Sequence, residues 1–328
     1  MVSKVVVVPA IYEGDALTQY GNWPAPDLII SDGAYGVGGF PGDPHRAKLL
    51  PQWYAQHIRH WSQVAKPNTT LWFWNTEQGW AAVHPLLLEQ GWRYVQTITW
   101  NKGVGHIAGR VNGNTMRQFP IVTEICVFYA RQERWTAGGT EISMQKWLRS
   151  EWLRTGLPLR EANIACGVKN AATRKYLTAD WLWYLPPPEV MHKLIAYANQ
   201  HGNPEGRPYF SANHTTPITD SDWERLRYTW HHQHGLTNVW EHPPLRNTER
   251  VRGTGTAMAH LNQKPLVFME RIVQAATNPL DVVWEPFGGL CSGAIAAGKL
   301  GRIAFGAEIN ANFYQLARKR IRETLVVS

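Results

Sequence analysis

Two groups of residues have the types and spacing that chemistry needs. Asp32 and Tyr35 stand on an abrupt turn, Ser31 to Gly36, directly after the apolar run Leu28 to Ile30. A carboxylate can accept hydrogen bonds from an amino group, and an aromatic ring can stack on a flat ligand. The second group is the glycine-rich run Glu285 to Gly293, with a further acid, Glu308, downstream. A strand, a glycine turn and a helix followed by an acid let backbone approach a nucleotide-like ligand, the acid accepting from its ribose hydroxyls. The run GGLCSG is not GxGxxG, and no Lys-Ser/Thr pair follows it, so a phosphate-bearing ligand is disfavoured. S-adenosylmethionine has a ribose and an adenine but no phosphate, and it suits this turn.

These turns need elements to hold them. Ile11 to Leu17 reads as a strand running into a turn at Gly14-Asp15, and Asp27 to Asp32 as a second buried strand. Leu49 to Ala65 has amphipathic helical spacing and Pro67-Asn68 breaks it; Thr70 to Asn75 is a strand, and a helix spans Val83 to Gln90 before Gly91. Two β-rich runs follow, Arg93 to Gly103 and Pro120 to Arg131. The alternation resumes with a polar turn at His260 to Asn262, a helix through Leu266 and Val273, a strand Val282 to Trp284, a small-residue helix, the strand ending at Glu308 and a basic helix. Alternating strands and helices predict an α/β protein with a mostly parallel central sheet. Between the two stretches, residues 132–250 are polar and rich in Trp, His and Arg, and read as an inserted module. Within it, Leu157 to Leu177 has small residues and Gly167 at the spacing of a helix-turn-helix, whose second helix would present Lys169, Asn170, Thr173, Arg174 and Lys175 to DNA.

Composition narrows the class. The 328 residues are 44% apolar and 18% charged, which excludes a disordered chain, and the net charge of +8 favours a polyanionic partner. The 17 tryptophans are far above ordinary usage, and aromatic faces among basic residues suit nucleic acid. Cys126, Cys166 and Cys291 are scattered, without a CxxC pair, which fits a reducing cytoplasm and gives no zinc signature. His231, His232 and His234 have no companion ligands, so no metal is expected. No apolar stretch is long enough to span a membrane.

Taken in chain order, the turns resemble those of the amino-methylating DNA methyltransferases in the permuted, beta-class arrangement. The catalytic tetrapeptide, DPPY in many members, corresponds to Asp32, Gly33, Ala34 and Tyr35. The cofactor loop DPFxGxG corresponds to Glu285 through Cys291, including Phe287 and Gly289; the preceding QKP to Gln263, Lys264 and Pro265; the GD turn to Gly14 and Asp15; and the ribose acid to Glu308. Trp100 to Gly103 also resembles a framework turn of the family.

The resemblance implies a Rossmann-like class I methyltransferase. Its catalytic half would be residues 1–131, its target-recognition domain 132–250 and its cofactor-binding half 251–328. It implies S-adenosylmethionine as cofactor and double-stranded DNA as partner, with a homodimer and a separate restriction endonuclease as further companions. Asp32 and a carbonyl near Gly33 would hold the amino group of a flipped base, and Tyr35 would stack on that base. Phe287 would face the cofactor adenine, Asp15 its amino edge, Glu308 its ribose, and Gln263 to Pro265 its methionine end.

Two departures stand out: Gly33-Ala34 replaces two prolines, so rigidity must come from packing, and Glu285 and Cys291 replace Asp and Gly. A leading Asp goes with adenine N6, while Ser31 directly before it keeps cytosine N4 as the alternative. Loss of the prolines keeps a second alternative, a catalytically weak DNA-binding protein.

Overall fold

The computed structural model describes residues 6–40, 42–106, 115–131, 134–137, 140–180, 182–203, 206–245, 249–251 and 263–326. The polar turn expected at His260 to Asn262 lies outside them. Two compact units emerge: residues 1–131 with 228–328, and residues 132–227.

The first unit is built on one eight-stranded sheet. Its strands, in chain order, are β1 (Ala10–Glu13), β2 (Leu28–Ser31), β3 (Thr70–Asn75), β4 (Trp92–Asn101), β5 (Thr123–Arg131), then, after a hairpin in the second unit, β8 (Val239–Glu241), β9 (Val282–Glu285) and β10 (Ile303–Glu308). In space the order is β1-β10-β9-β2-β3-β5-β4-β8. Pairing is parallel from β1 to β3, antiparallel on both sides of β5, and parallel again between β4 and β8. β9 and β2 are far apart in sequence yet adjacent and parallel, Leu28 facing Val283 and Ile29 facing Trp284. From β9 the chain winds outward to β10, and from β2 it winds the other way to β3. The gap between β2 and β9 is therefore a topological switch point, where such sheets bind ligands at their carboxyl ends.

Alternation along the strands splits the core in two. Leu28, Ile30, Trp72 and Trp74 face one layer with Phe268, Ile272 and Ile295; Ile29, Leu71 and Phe73 face another with Tyr54, Ile58 and Trp61. The first layer is roofed by α7 (Leu266–Ala276), α8 (Ser292–Lys299) and α9 (Ala311–Leu325), the second by α1 (Leu50–Val64) and α2 (Glu77–Glu89). α1 buries Leu50, Tyr54, Ile58 and Trp61, one stripe at helical spacing. α2 begins at Glu77 and not near Val83, because the Thr76 side chain caps it by accepting from the Gly79 amide.

The second unit is a β6–β7 hairpin (Arg134–Ala137, Thr140–Ser143) with α3 (Met144–Arg154), α4 (Leu159–Cys166), α5 (Pro188–His201) and α6 (Asp220–Arg225). Trp147, Leu148, Trp152, Leu194 and Trp223 form its core. The module expected over 132–250 therefore ends earlier: residues 228–250 belong with the sheet, because Val239–Glu241 pairs with β4.

The expected second DNA-reading helix is also different. α4 ends at left-handed Gly167, but the following segment is only a five-residue π-helical turn, Ala172–Tyr176. The Asn163 side-chain oxygen accepts from the amides of both Ala172 and Thr173 at its start. Thr173 is half-buried against it, while Lys169, Asn170, Arg174 and Lys175 are exposed.

Candidate active site

The carboxyl ends of β1, β2, β9 and β10 surround a cavity of about 520 Å³. Gly14 and Asp15 border it after β1, Asp32 and Gly33 after β2, Pro286 to Leu290 after β9, and Glu308 to Asn310 at the end of β10. Trp53, Gln56 and His57 of α1 supply a further wall, and Gln263 and Lys264 another. The two residue groups, separated by about three-quarters of the sequence, thus share one cavity.

The catalytic-type turn is held by a residue the motif does not contain. Asp43 is buried, and its carboxylate accepts from four amides, those of Tyr35 (3.1 Å), Gly36 (2.8 Å), Val37 (3.2 Å) and Gly39 (2.9 Å). The Ala34 carbonyl accepts from Tyr54 Oη at 3.0 Å and Asn75 Nδ2 at 2.9 Å. These bonds supply the rigidity that two prolines would otherwise give. Gly33 is required for a different reason: a Cβ there would stand 2.7 Å and 2.8 Å from ring carbons of Phe287 and 2.8 Å from Tyr54 Oη.

Asp32 sits above a buried polar network. Its Oδ1 accepts from Lys264 Nζ at 2.7 Å and from Tyr35 Oη at 2.8 Å. Tyr35 Oη also lies 2.6 Å from Glu124 Oε1, and Lys264 Nζ reaches that same oxygen at 3.0 Å. Lys102 Nζ pairs with Glu124 Oε2 at 2.8 Å. Burial works against charge on Lys264, but Asp32 and Glu124 outweigh it and raise the ammonium's pKa. Burial likewise opposes ionisation of Glu124, yet Lys264 and Lys102 hold its carboxyl down at about 2. Burial, with the two carboxylates beside it, raises the Tyr35 phenol well above its ordinary range.

The cofactor-type turn is equally specific. Glu285 is buried, and its two oxygens accept from the Gly293 and Ala294 amides, at 2.9 Å and 2.7 Å, capping α8. Burial pushes its carboxyl up to about 8. Cys291 is buried with φ of 54°, the left-handed conformation that the glycine it replaces adopts without strain. Glu308 accepts from the Gly289 amide at 2.6 Å and the Asn310 amide at 2.7 Å, and burial raises its carboxyl. Phe287 packs edge-on against His57, with ring centroids 4.8 Å apart, and lies near Trp53, Tyr54 and Trp61.

The structure therefore brings Gly14, Asp15, Asp32, Gly33, Gln263, Lys264, Glu285, Phe287, Gly289 and Glu308 to one cavity. Five of the expected residues have engagements that the sequence did not announce. Tyr35 is 7% exposed, its hydroxyl engaged below Asp32, and it offers no open face for stacking. Lys264 directs its ammonium at Asp32. Gln263 spends its amide on Glu249 and Val251 backbone. Pro265 starts α7. Asp15 caps the short helix after β1 by accepting from the Leu17 amide. Lys169, Asn170, Thr173, Arg174 and Lys175 belong to the second unit. Asp43, Glu124, Tyr54 and His57 went unnoticed in the sequence. The only signal for Asp43 was an acid closing a glycine-rich run, Gly36 to Gly42.

A family model described as DNA methylase matches residues 27–319. Among curated proteins, the type II methyltransferase M1.MboII of Moraxella bovis is 38% identical over 79 residues, 24% of this chain and 30% of that protein. The DNA adenine methyltransferase YhdJ of Escherichia coli strain K12 is 33% identical over 93 residues, 28% of this chain and 30% of its own length. The chain thus matches under a third of either relative. Among solved structures, the M1.HpyAVI–SAM complex superposes with a TM-score of 0.52 at 16% identity, covering 95% of this chain and 98% of that one, which is a likeness of fold.

Proposed function

This chain belongs to the DNA methylase family, and we propose that it moves a methyl group from S-adenosylmethionine to the exocyclic amino nitrogen of a flipped base in duplex DNA, adenine N6 being the acceptor. The observation that carries this reading is the single cavity bordered by Asp32 on one side and by Phe287 and Glu308 on the other.

The lining fits that cofactor. Among the described residues its carboxylates are Asp15, Asp32 and Glu308, the buried Glu285 being pushed up to about 8 and spent on α8, and its one ammonium, Lys264, is committed to Asp32. Such walls favour a ligand bearing a sulfonium and an ammonium, and disfavour phosphates. Glu308 uses one acceptor direction on each oxygen for the Gly289 and Asn310 amides, and the others remain for ribose hydroxyls. Phe287 offers an apolar wall to adenine. When bound, S-adenosylmethionine supplies an electrophilic methyl on sulfur.

The residues of the chain do the rest. The target nitrogen must leave the duplex to reach the cavity. Among the described residues Asp32 Oδ2 has no hydrogen-bond donor, so it is the oxygen for the incoming amino group. A hydrogen bond there directs the nitrogen lone pair out of the ring, and Asp32 can hold the proton that the nitrogen sheds on methylation. Adenine is favoured by the leading Asp32; Ser31 before it supports cytosine N4 as the second reading. The exposed Lys169, Asn170, Arg174 and Lys175 and the net charge of +8 suit DNA as the partner.

The test is methyl transfer from labelled S-adenosylmethionine to a duplex of mixed sequence. The intact protein should label the DNA, and Asp32→Ala should fall by about 10²–10⁴-fold while still binding the cofactor. Equal labelling by both proteins sinks the reading.

A further inference from the structure

The family resemblance assigns Lys264 to the cofactor, yet the geometry points to another task. We infer that Lys264 and Glu124 form a buried charge pair that positions Asp32, so that one carboxylate oxygen is fixed and the other is presented to the acceptor amino group. The inference rests on the methyl-transfer reading for its meaning, but its geometry does not.

Lys264 is 3% exposed and has three hydrogens. Among the described residues three oxygens stand around its Nζ: Asp32 Oδ1 at 2.7 Å, Tyr35 Oη at 3.0 Å and Glu124 Oε1 at 3.0 Å. The rings of Tyr35 and Trp74 lie at 5.3 Å. Tyr35 has a single hydroxyl proton but two carboxylate oxygens within reach, Asp32 Oδ1 at 2.8 Å and Glu124 Oε1 at 2.6 Å. It can donate to only one at a time. The ammonium must therefore serve the oxygen that the tyrosine leaves, and Asp32 Oδ1 is held in either arrangement.

Charge explains why Glu124 is present. A lone ammonium buried beside one catalytic carboxylate would quench it as an acceptor. Among the described residues, with Lys102 and Glu124 included, two ammoniums face two carboxylates, and their charges cancel. Glu124 draws on Lys264, so Asp32 shares the cation without surrendering its second oxygen. Lys264 is thus a positioning residue. It comes from the segment before α7, Asp32 from the end of β2 and Glu124 from β5, so the pair also ties the two separated parts of the chain together at the reacting carboxylate.

Removing Lys264 alone leaves two buried carboxylates facing each other, and Lys264→Met is expected to lose stability. The charge-balanced variant Lys264→Met with Glu124→Gln avoids this. It should keep its melting temperature within a few degrees and its S-adenosylmethionine dissociation constant within about threefold. Its kcat for DNA methylation should fall at least about 100-fold with little change in KM for the cofactor. Wild-type kcat in this variant, or a loss of cofactor affinity in step with kcat, overturns the inference. A wild-type protein that methylates nothing would sink the transfer reading alone. The Lys264–Asp32 contact is then read from a stability cycle of Asp32→Asn against Lys264→Met. Non-additive shifts in melting temperature support the contact, and additive shifts overturn it.

Discussion

Asp43 shows how a single side chain can replace a backbone restriction. Four amides converge on its carboxylate, and each charge-assisted bond contributes about 1.5–3 kcal/mol where its loss leaves a buried donor unpaired. Asp43→Ala should therefore destabilise the protein by several kcal/mol and lower kcat more than cofactor affinity, measured by denaturant unfolding and steady-state kinetics. Asp43→Asn keeps the shape but loses the charge and one acceptor, and should fall between. Gly33 makes the opposite demand. Gly33→Ala sets a methyl 2.7 Å from the Phe287 ring, which must shift; cofactor affinity measured by calorimetry should drop about tenfold or more, with the rest of the fold intact. The acid and aromatic of the turn were legible in sequence because their types announce chemistry. Asp43 was not, because what it does depends on a loop closing over itself. Lys264 was legible as a motif member but not in its task, since sequence spacing cannot tell which of two neighbouring groups an ammonium faces.

At the scale of elements, α1 does more than cover the sheet. It carries Trp53, Tyr54, His57 and Trp61 to the wall behind Phe287. His57 is buried with its Nδ1 2.9 Å from Tyr20 Oη, and burial lowers its pKa from 6.5 to about 4. A depressed folded-state value means that the unfolded chain takes up the proton first. The stability of the neutral ring is complete above 6.5 and is lost as pH falls toward 4, about 3 kcal/mol over that window. Glu285 runs the other way: raised to about 8, it costs stability as pH climbs from 4.5 toward that value. The two oppose each other in mildly acid solution, so only a difference is diagnostic. Between pH 6.5 and 4 the melting temperature of His57→Gln should fall less steeply than that of the wild type; parallel curves would contradict the assignment. Strands and helices of the sheet unit were legible because a two-residue alternation and a helical stripe survive in sequence. The helical turn after α4 was not, since the capping of Ala172 and Thr173 amides by Asn163 is a contact between side chain and backbone that no periodicity records.

On the scale of the whole molecule, the chain order is permuted but the sheet order is not. β9 and β2 lie side by side although most of the chain separates them, and this adjacency turns two weak sequence signals into one cavity. No helix among the described residues is long and apolar enough to cross a membrane. The second unit carries exposed Lys169, Arg174 and Lys175. If these meet phosphates, replacing all three by Ala should weaken duplex binding at every sequence and lower the slope of log affinity against log salt by up to about 3. Cofactor binding should stay unchanged.

The most direct test of the central claim is the chemical identity of the product. Duplex DNA incubated with the protein and S-adenosylmethionine is digested to nucleosides and analysed by mass spectrometry, beside a reaction with Asp32→Ala. N6-methyladenine with the intact protein and none with the variant is the predicted result. N4-methylcytosine in its place would contradict the choice of base, and no methylated nucleoside at all would contradict the enzyme.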